Sequence, residues 1–274
     1  MNKVLAIEPY VKWVGGKRQL LNVIVDMLPD KFEKYIEPFL GGGALFFYLQ
    51  PKISIVNDIN WELINSLKTI RANYIALIEC LDLYNSKHDE TFFYQLRKEY
   101  SNLDDINMAA RFIYLNKTCF NGIYRVNKKN EFNVPFNNKV KVNLYSKENI
   151  KNISEFLNTS KVSIHNDDFS KILLMAKKND FVFVDPPYDT NDNQFTSYTK
   201  TGFGKEEQNK LADLLDKLND NGVKWMMTNS PTDFICKRYN KYNQKIIDVN
   251  RMINSDASKR INGAKEIIIT NYER

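Results

Sequence analysis

A short apolar strand that must stop at a pair of prolines lies in the second half of this chain, in the run Phe181-Val182-Phe183-Val184-Asp185-Pro186-Pro187-Tyr188. Its first four residues are β-branched or aromatic, which predicts a buried strand. The prolines cannot donate to a ladder and fix their own backbone, so the strand ends there. An acid, a peptide carbonyl and an aromatic ring are thereby held at the carboxyl end of a strand, where open α/β sheets bind ligands. For Asp-Pro-Pro alone, an ordinary strand-to-loop turn is the alternative.

These residue types suit the activation of an exocyclic amine on a nucleobase. Such an amine is a poor nucleophile because its lone pair is delocalised into the ring. A carboxylate and a carbonyl that accept its two N–H bonds favour a more pyramidal nitrogen, and a stacked tyrosine holds the base flat. Asp185-Pro186-Pro187-Tyr188 after a strand resembles the catalytic motif of amino-group DNA methyltransferases, whose methyl donor is S-adenosylmethionine.

Two glycine turns upstream each precede a predicted helix. The first is Lys12-Trp13-Val14-Gly15-Gly16-Lys17, before a helix predicted over 18–28, and its glycines permit close backbone approach to a ligand. It lacks the P-loop spacing, so a plain helix start is equally consistent. In the second, a strand over 35–39 leads to Leu40-Gly41-Gly42-Gly43 and a helix from about Ala44. Strand, glycine turn and helix is the geometry in which backbone approaches a nucleotide-like ligand.

Acids follow two further predicted strands. The strand over 53–58 ends in Asp58, which is placed to accept hydrogen bonds from ribose hydroxyls. Its alternative role is to cap the helix that starts near Trp61. The strand over 161–165 is followed by Asp168 and Phe169, which could grip an adenine through its amine and by stacking. Capping a helix over 169–178 is the alternative for Asp168.

Helical periodicity then interrupts the alternation of strand and helix. Helices are predicted over 61–83 and near 90–100 and 105–119, so we interpret 62–160 as an inserted domain.

A basic segment inside this insertion predicts a β-ribbon. Phe120-Asn121-Gly122-Ile123-Tyr124-Arg125 and Phe132-Asn133-Val134-Pro135-Phe136 flank a turn rich in Asn and Lys. Ile123 and Arg125 lie two residues apart and share a face, and such a ribbon can enter the major groove of DNA. A surface hairpin with solvated charges is the alternative.

The remainder of the chain supplies a polar loop and the last strands. We predict a mobile lid or binding loop over 189–204, which includes Tyr198. A helix over 205–219 and strands near 223–228, 244–249 and 265–271 follow. Between the last two strands, the segment from Arg251 to Arg260 is a basic loop suited to phosphates.

Composition agrees with a polyanionic partner and argues against several other classes. The net charge is +6, from 39 basic and 33 acidic side chains. The three cysteines lack paired spacing and the two histidines lack ligand spacing, so we expect no disulfide framework and no metal site. No apolar run reaches membrane-spanning length and no signal peptide is evident, so we expect a cytoplasmic, nucleoid-associated protein without a membrane partner.

Six motifs together resemble the Dam family of DNA adenine methylases, in the same order over nearly the whole chain. They are the two glycine turns with Glu37-Pro38-Phe39, Asn57-Asp58-Ile59-Asn60, the two ribbon segments and Asp185-Pro186-Pro187-Tyr188. That family methylates adenine N6, usually in GATC. The resemblance implies an α/β fold, a Rossmann-like methyltransferase sheet that is mostly parallel with one antiparallel strand. It assigns 1–61 and 161–274 to catalysis, and 62–160 to a mainly helical target-recognition domain with a β-hairpin.

The resemblance also implies partners and residue roles. The cofactor is S-adenosyl-L-methionine, the partner is double-stranded DNA, no metal is needed, and we expect a monomer or a weak dimer. Trp13, Lys17, Asp58 and Asp185 match residues that contact the methyl donor, and the predicted donor site also includes Glu37, Phe39, Gly41, Gly43, Asp168 and Phe169. Asp185, Pro186 and Tyr188 match the catalytic pocket for a flipped adenine.

DNA contacts are implied in the same way. Lys12 matches a contact to the first guanine and Arg125 one to a guanine at the other end of the site, while Ile123 and Pro135 match contacts to thymine. Phe120 stands where relatives often carry Tyr and matches a stacking wedge. Further predicted DNA contacts are Asn121, Tyr198, Arg251 and Arg260. Tyr124 stands where some relatives have Cys, and no role is assigned to it.

Other functions remain open at this stage. A cytosine N4 methylase more often carries Ser in place of Asp185, and an RNA or glutamine methylase more typically carries Asn, so adenine is preferred. A catalytically inactive DNA-binding protein on the same scaffold would be excluded by detectable methyl transfer. A dinucleotide-dependent oxidoreductase is weakened by the absence of Gly-x-Gly-x-x-Gly spacing. Protection against a partner restriction nuclease and a separate role in replication or repair both stay open.

Overall fold

The computed structural model describes residues 5–99, 103–127, 129, 131–190, 203–249 and 264–273. The strands are β1 (Tyr35–Glu37), β2 (Ile53–Asn57), β3 (Lys161–His165), β4 (Phe181–Val184), β5 (Lys224–Asn229), β6 (Asn243–Val249) and β7 (Ala264–Thr270). The α-helices are α1 (Leu21–Asp26), α2 (Ala44–Leu49), α3 (Trp61–Ser86), α4 (Glu90–Lys98), α5 (Asp105–Thr118), α6 (Lys147–Thr159), α7 (Phe169–Leu173), α8 (Lys205–Asp220) and α9 (Asp233–Arg238).

The strands form a seven-stranded sheet in the order β3-β2-β1-β4-β5-β7-β6. β1 pairs in parallel with β2 and β4, and β4 pairs in parallel with β5. β7 runs antiparallel to both of its neighbours, β5 and β6. The predicted α/β fold, with a mostly parallel sheet and one antiparallel strand, is therefore confirmed.

The chain groups into two compact units. The first unit is drawn from residues 1–17, 40–52 and 58–166, and the second from 18–39, 53–57 and 167–274. The functional division into 62–160 and the remainder stays a prediction.

The second unit is built around strands whose side chains are apolar on both faces. All four residues of β4 are buried, as a central parallel strand covered on both sides requires. A core cluster includes residues of β4, of the neighbouring strands and of α7, α8 and α9: Ile36, Ile172, Val182, Val184, Leu211, Leu215, Trp225, Met227, Ile235, Ile267 and Ile269.

The first unit is mainly helical, and α3 packs along α5 and α6. The predicted spacing along α3 is confirmed in its buried residues Leu63, Leu67, Ile70, Leu77 and Leu81. α3 begins at the N-cap Asn60, whose side chain accepts a hydrogen bond from the Leu63 amide. Asn60, not Asp58, therefore caps this helix.

Several predicted boundaries need correction. The helix predicted over 18–28 starts as a 3-10 turn at Lys17–Gln19 and continues as α1. The helix predicted over 169–178 ends at Leu173. α6 and α9 were not predicted. α6 nevertheless buries Ile150, Ile153, Phe156 and Leu157 at helical spacing, so its sequence carried the signal.

The predicted ribbon is present as a loop closed by isolated antiparallel bridges, not by continuous strands. Cys119 bridges Phe136, and Val126 bridges Phe132. Regular strand geometry is interrupted because Asn121 and Gly122 both have left-handed backbone conformations, with φ of 56° and 66°.

Some sequence predictions fall on residues outside the described ranges, including the greater part of the lid predicted over 189–204, together with Tyr198, Arg251 and Arg260. Among the residues that the structure describes, no helix is long and apolar enough to cross a membrane. The same residues contain no cluster of three or more His, Cys, Asp or Glu side chains suited to a metal ion.

Candidate active site and nucleic-acid interface

A glycine turn in the first unit packs directly against a tryptophan ring. Gly41 has a φ of +48°, and a Cβ atom there would lie 2.7 Å from Cδ1 of Trp13. Only glycine satisfies both the backbone conformation and the space beside this ring. The turn therefore packs tightly against Trp13, and a donor-binding role for both residues stays a prediction.

Asp58 holds the same turn from its other side. Its Oδ2 accepts a hydrogen bond from the Gly41 amide at 2.8 Å, and its Oδ1 accepts one from the Asn60 amide at 2.9 Å. Burial raises the pKa of this carboxyl above its usual range, and the backbone amides of Asn60, Gly41 and Ile59 oppose that shift. The structure thus brings Trp13, Gly41 and Asp58 together, as the sequence predicted.

Lys17 is buried and folds back on the preceding turn. Its Nζ donates to the carbonyl oxygen of Gly15 at 2.6 Å. That turn is closed by the amide of Gly16, which donates to the Trp13 carbonyl at 3.2 Å. A buried cation thus stands four residues from Trp13 in the sequence, within the same unit.

In the second unit, the end of β4 places an acid beside a hydroxyl of β5. Val184 pairs with Met227, so the next residues, Asp185 and Thr228, lie side by side. Thr228 Oγ1 donates to Asp185 Oδ1 at 2.6 Å. The carboxylate predicted to face the reacting amine therefore has a fixed orientation.

Tyr188 is held from β7. Its hydroxyl donates to Oε2 of the buried Glu266 at 2.6 Å. Burial raises the pKa of Tyr188 well above its usual value, and the negative charges of Asp185 and Glu266 raise it further. The raised pKa keeps the Tyr188 hydroxyl protonated at neutral pH, the form that donates to Glu266. Thr228 and Glu266 were missed by the sequence analysis, although both occupy sheet positions close to the predicted site.

A buried polar network supports the backbone between these side chains. Gln208 Nε2 donates to the Pro187 carbonyl at 2.9 Å, and Asn229 Oδ1 accepts from the Asp189 amide at 2.9 Å. The Asp189 carboxylate accepts from Lys205 Nζ and Thr232 Oγ1, each at 2.5 Å. This network fixes the path of the chain immediately after Tyr188. Asn229 was not predicted. The sequence signal that could have found it is its position at the end of β5, which pairs in parallel with β4.

The other donor residues predicted in the second unit have defined partners. Glu37 accepts a hydrogen bond from Tyr35 Oη at 2.9 Å. The Phe39 and Phe169 rings stack with centroids 5.3 Å apart. Asp168 caps α7 through the Ser170 amide and pairs with Lys210 at 3.1 Å. The capping alternative for Asp168 is therefore present in the structure, while donor roles for these residues stay predictions.

Asn57 belongs to the motif Asn57-Asp58-Ile59-Asn60, but the sequence predicted no role for it. Its Nδ2 donates to the carbonyls of Pro38 and Asp167 at 2.9 and 3.0 Å, and its Oδ1 accepts from the Asp167 amide at 2.8 Å. One side chain therefore joins the segment after β1 to the segment after β3, both within the second unit.

In the first unit, Lys12 lies against the predicted ribbon. Asn116 Oδ1 accepts from the Lys12 amide at 2.8 Å, and Asn116 Nδ2 donates to the carbonyls of Lys12 at 2.8 Å and Gly122 at 3.3 Å. A Cβ atom on Gly122 would lie 2.5 Å from Cδ of Lys12. Two segments about a hundred residues apart in sequence are thus joined, and Asn116 was not predicted to join them.

The predicted base-reading side chains include exposed and partly buried groups. Arg125 is exposed, and its Nε donates to Asn133 Oδ1 at 2.8 Å, which orients the guanidinium. Phe120 is 52% exposed. Asn121 and Pro135 are also exposed, and Ile123 is half-buried. The loop therefore presents basic, polar and apolar groups together, as a surface that reads base edges requires.

Comparison with known proteins gives a consistent result. Residues 13–254 match the family of D12 class N6 adenine-specific DNA methyltransferases. The chain is 38% identical to the type II methyltransferase M1.LlaDCHI of Lactococcus lactis subsp. cremoris, over 97% of this chain and 96% of that protein. It is 38% identical to the type II methyltransferase M.MjaIII of Methanocaldococcus jannaschii, over 98% and 100%. It is also 31% identical to the DNA adenine methylase of Haemophilus influenzae, over 95% and 92%.

Proposed function

Because the chain belongs to the D12 class of N6 adenine-specific DNA methyltransferases, we propose that it methylates adenine N6 within GATC, using S-adenosyl-L-methionine. The observation that carries the proposed reaction is the end of β4, where Asp185 is oriented by Thr228 and followed by two prolines and the anchored Tyr188. This segment supplies the carboxylate, the carbonyl and the ring that the proposed activation of an adenine amine uses. The GATC sequence rests on the resemblance of Lys12, Ile123, Arg125 and Pro135 to the base-contacting residues of the Dam family.

The first unit offers groups that suit an adenosine-containing donor. Trp13 supplies an aromatic ring that packs on the Gly41 turn, and Asp58 supplies a buried carboxylate that can accept from ribose hydroxyls. Lys17 places a cation in the same unit, suited to a carboxylate. When bound, S-adenosyl-L-methionine supplies a methyl group made electrophilic by its sulfonium charge.

The chain's own residues then act on the target base. We propose that the adenine is flipped out of the duplex, which costs a few kcal/mol of unstacking. Asp185 and a backbone carbonyl of the prolines accept its two amine N–H bonds, and Tyr188 holds the ring flat. We expect Asp185 to receive the proton that N6 loses after methyl transfer. Positioning is the main contribution, since no side chain forms a covalent bond to the base.

Mapping the product tests this function directly. The protein is incubated with donor and an unmethylated plasmid, and N6-methyladenine is located by sequencing. Methylation confined to GATC is the expected result. Methylation at another sequence would overturn the specificity alone, whereas N4-methylcytosine or no methylation would overturn the proposed reaction.

Asp58→Ala is expected to weaken donor binding by roughly 1–3 kcal/mol, the value for a lost hydrogen bond to a charged group. The variant also releases the Gly41 amide from its carboxylate partner, which loosens the turn beside Trp13. Calorimetric titration with the donor measures the change. Asp89→Ala is the matched control, because Asp89 likewise accepts from a backbone amide in the first unit but caps α4. Unchanged donor affinity in a folded Asp58→Ala protein would contradict the assignment.

Arg125→Ala and Lys12→Ala are expected to relax discrimination at guanines at opposite ends of the site. A good base contact discriminates by about 1–3 kcal/mol, whereas a phosphate contact weakens binding to all sequences alike. Rates are measured on a GATC duplex and on each single-base variant.

Lys129→Ala serves as the control for these two variants, because Lys129 is an exposed cation of the same loop with no predicted base contact. It should lower all rates equally or not at all. Equal losses on every duplex for Arg125→Ala and Lys12→Ala would reassign both residues to the phosphate backbone.

A further inference from the structure

Tyr124 has no role in the proposed function, yet it lies between two groups of residues that have one. These are the residues proposed to bind the methyl donor and those proposed to read the bases. Its ring stacks on Trp13, with centroids 5.8 Å apart and planes inclined by 21°. It follows Ile123 and precedes Arg125, the predicted base-reading residues. A side chain of the predicted ribbon therefore lies against Trp13, the ring proposed to contact the methyl donor.

The hydroxyl of Tyr124 is fixed by a buried ion pair. It donates to Glu62 Oε2 at 2.6 Å, and the other oxygen of Glu62 accepts from Arg111 at 2.8 Å. Glu62 and Arg111 are 6% and 1% exposed. Arg111 also donates to the carbonyls of Leu96 and Arg97, each at 2.9 Å. The hydroxyl is thus held by a buried anchor, while the orientation of the ring follows Trp13, on which it stacks.

The loop around Tyr124 links this ring to the Arg125 side chain. The Arg125 carbonyl accepts from the Asn133 amide at 3.1 Å, and the Asn133 side chain orients the Arg125 guanidinium. Trp13 in turn packs against Gly41. Contacts therefore lead from the glycine turn through Trp13 to Tyr124, which is covalently joined to Arg125.

We propose that Tyr124 is a positioning residue that couples binding of the methyl donor to recognition of the DNA sequence. This inference rests on the proposed function of the same residues. A donor seated on Trp13 restricts the ring against which Tyr124 stacks, and this restricts Ile123 and Arg125. Once the loop is ordered, DNA binding costs less conformational entropy, so the two ligands bind with positive cooperativity. The coupling must be reciprocal, because each ligand changes the affinity of the other by the same factor.

The test measures that factor in the full chain. Affinity for a GATC duplex is determined with and without saturating S-adenosylhomocysteine, which lacks the methyl group and allows no turnover. We expect at least about fivefold tighter DNA binding with this ligand in the unsubstituted protein. Tyr124→Leu, which lacks the ring, should reduce the factor to about one, and Tyr124→Phe, which keeps the stack, should retain most of it.

A structural role alone would lower the DNA affinity equally with and without S-adenosylhomocysteine, or would lower the melting temperature. The ratio of the two DNA affinities would then stay unchanged, so this ratio is decisive. Tyr145→Leu is the matched control, since Tyr145 is a tyrosine of the first unit that binds Asp82. If Tyr124→Leu fails to fold, Tyr124→Met replaces it as a ringless side chain of greater length. The inference is overturned by a full coupling factor in either ringless variant, or by none in the unsubstituted protein. Loss of the proposed function would show separately, as unsubstituted protein that neither binds S-adenosylhomocysteine nor methylates DNA.

Discussion

Asp185→Ala is expected to lower the single-turnover rate of methyl transfer by roughly a hundred- to ten-thousandfold at saturating donor, while target DNA is still bound. The reason is its position. Asp185 follows the last residue of a fully buried strand, and the prolines after it prevent the backbone from continuing as a ladder. Thr228 fixes one carboxylate oxygen, so the acceptor is oriented before the base arrives. Alanine removes an acceptor aimed at the reacting amine and leaves the strand intact.

Three further variants separate the effect of the carboxylate from loss of structure. Asp185→Asn keeps the shape but replaces one acceptor oxygen with a donor, and it should lose nearly as much activity as alanine. Thr228→Val removes only the orienting hydroxyl and should lose less. Asp213→Ala removes an exposed acid that pairs with Arg238 in the same unit and should leave the rate unchanged. Rapid-quench measurements in which Asp185→Ala reacts at a near-normal rate would refute the catalytic role.

The parts of the site that could be predicted from the sequence follow directly along the chain from a strand or a turn. Asp185 and Tyr188 needed only the strand and its proline stop, and Gly41 needed only the strand before it. Asp58 was correctly grouped with the glycine turn. Its capping alternative fails because Asn60 is better placed, two residues nearer the helix. Local sequence patterns were sufficient for residues that lie within a few positions of the strand or turn that holds them.

The remaining contacts join residues that are far apart in sequence. Glu266 reaches Tyr188 from β7, a pairing set by the order and register of the strands. Asn116 joins Lys12 to Gly122 only because the end of α5 lies beside the N-terminal segment. The ribbon was predicted as continuous strands because its composition is strand-like. The left-handed residues Asn121 and Gly122 show that the loop geometry overrides that preference. Such contacts depend on packing, which periodicity does not specify.

Arg111→Ala is expected to lower the free energy of unfolding of the first unit by about 3–5 kcal/mol, the cost of breaking a buried ion pair by removing one partner. Arg111 is 1% exposed and pairs with the buried Glu62, so alanine leaves an uncompensated carboxylate in the core. It also leaves the carbonyls of Leu96 and Arg97 without this donor. Both belong to the last turn of α4, where carbonyls lack partners within the helix.

Urea unfolding of the single and double variants measures this loss and separates its causes. Arg238→Ala is the matched control, since Arg238 pairs with Asp213 and Asp216 nearer the surface, where an ion pair contributes about 1 kcal/mol or less. Glu62→Leu combined with Arg111→Met removes both charges. It should be less destabilising than the sum of the two single changes, because neither charge is then left buried alone. Because the carbonyls of Leu96 and Arg97 still lack the Arg111 donor, the double variant should remain less stable than the unsubstituted protein. An Arg111→Ala protein no less stable than Arg238→Ala would show that the pair does not hold α3, α4 and α5 together, and the anchor assigned to Tyr124 would be lost with it.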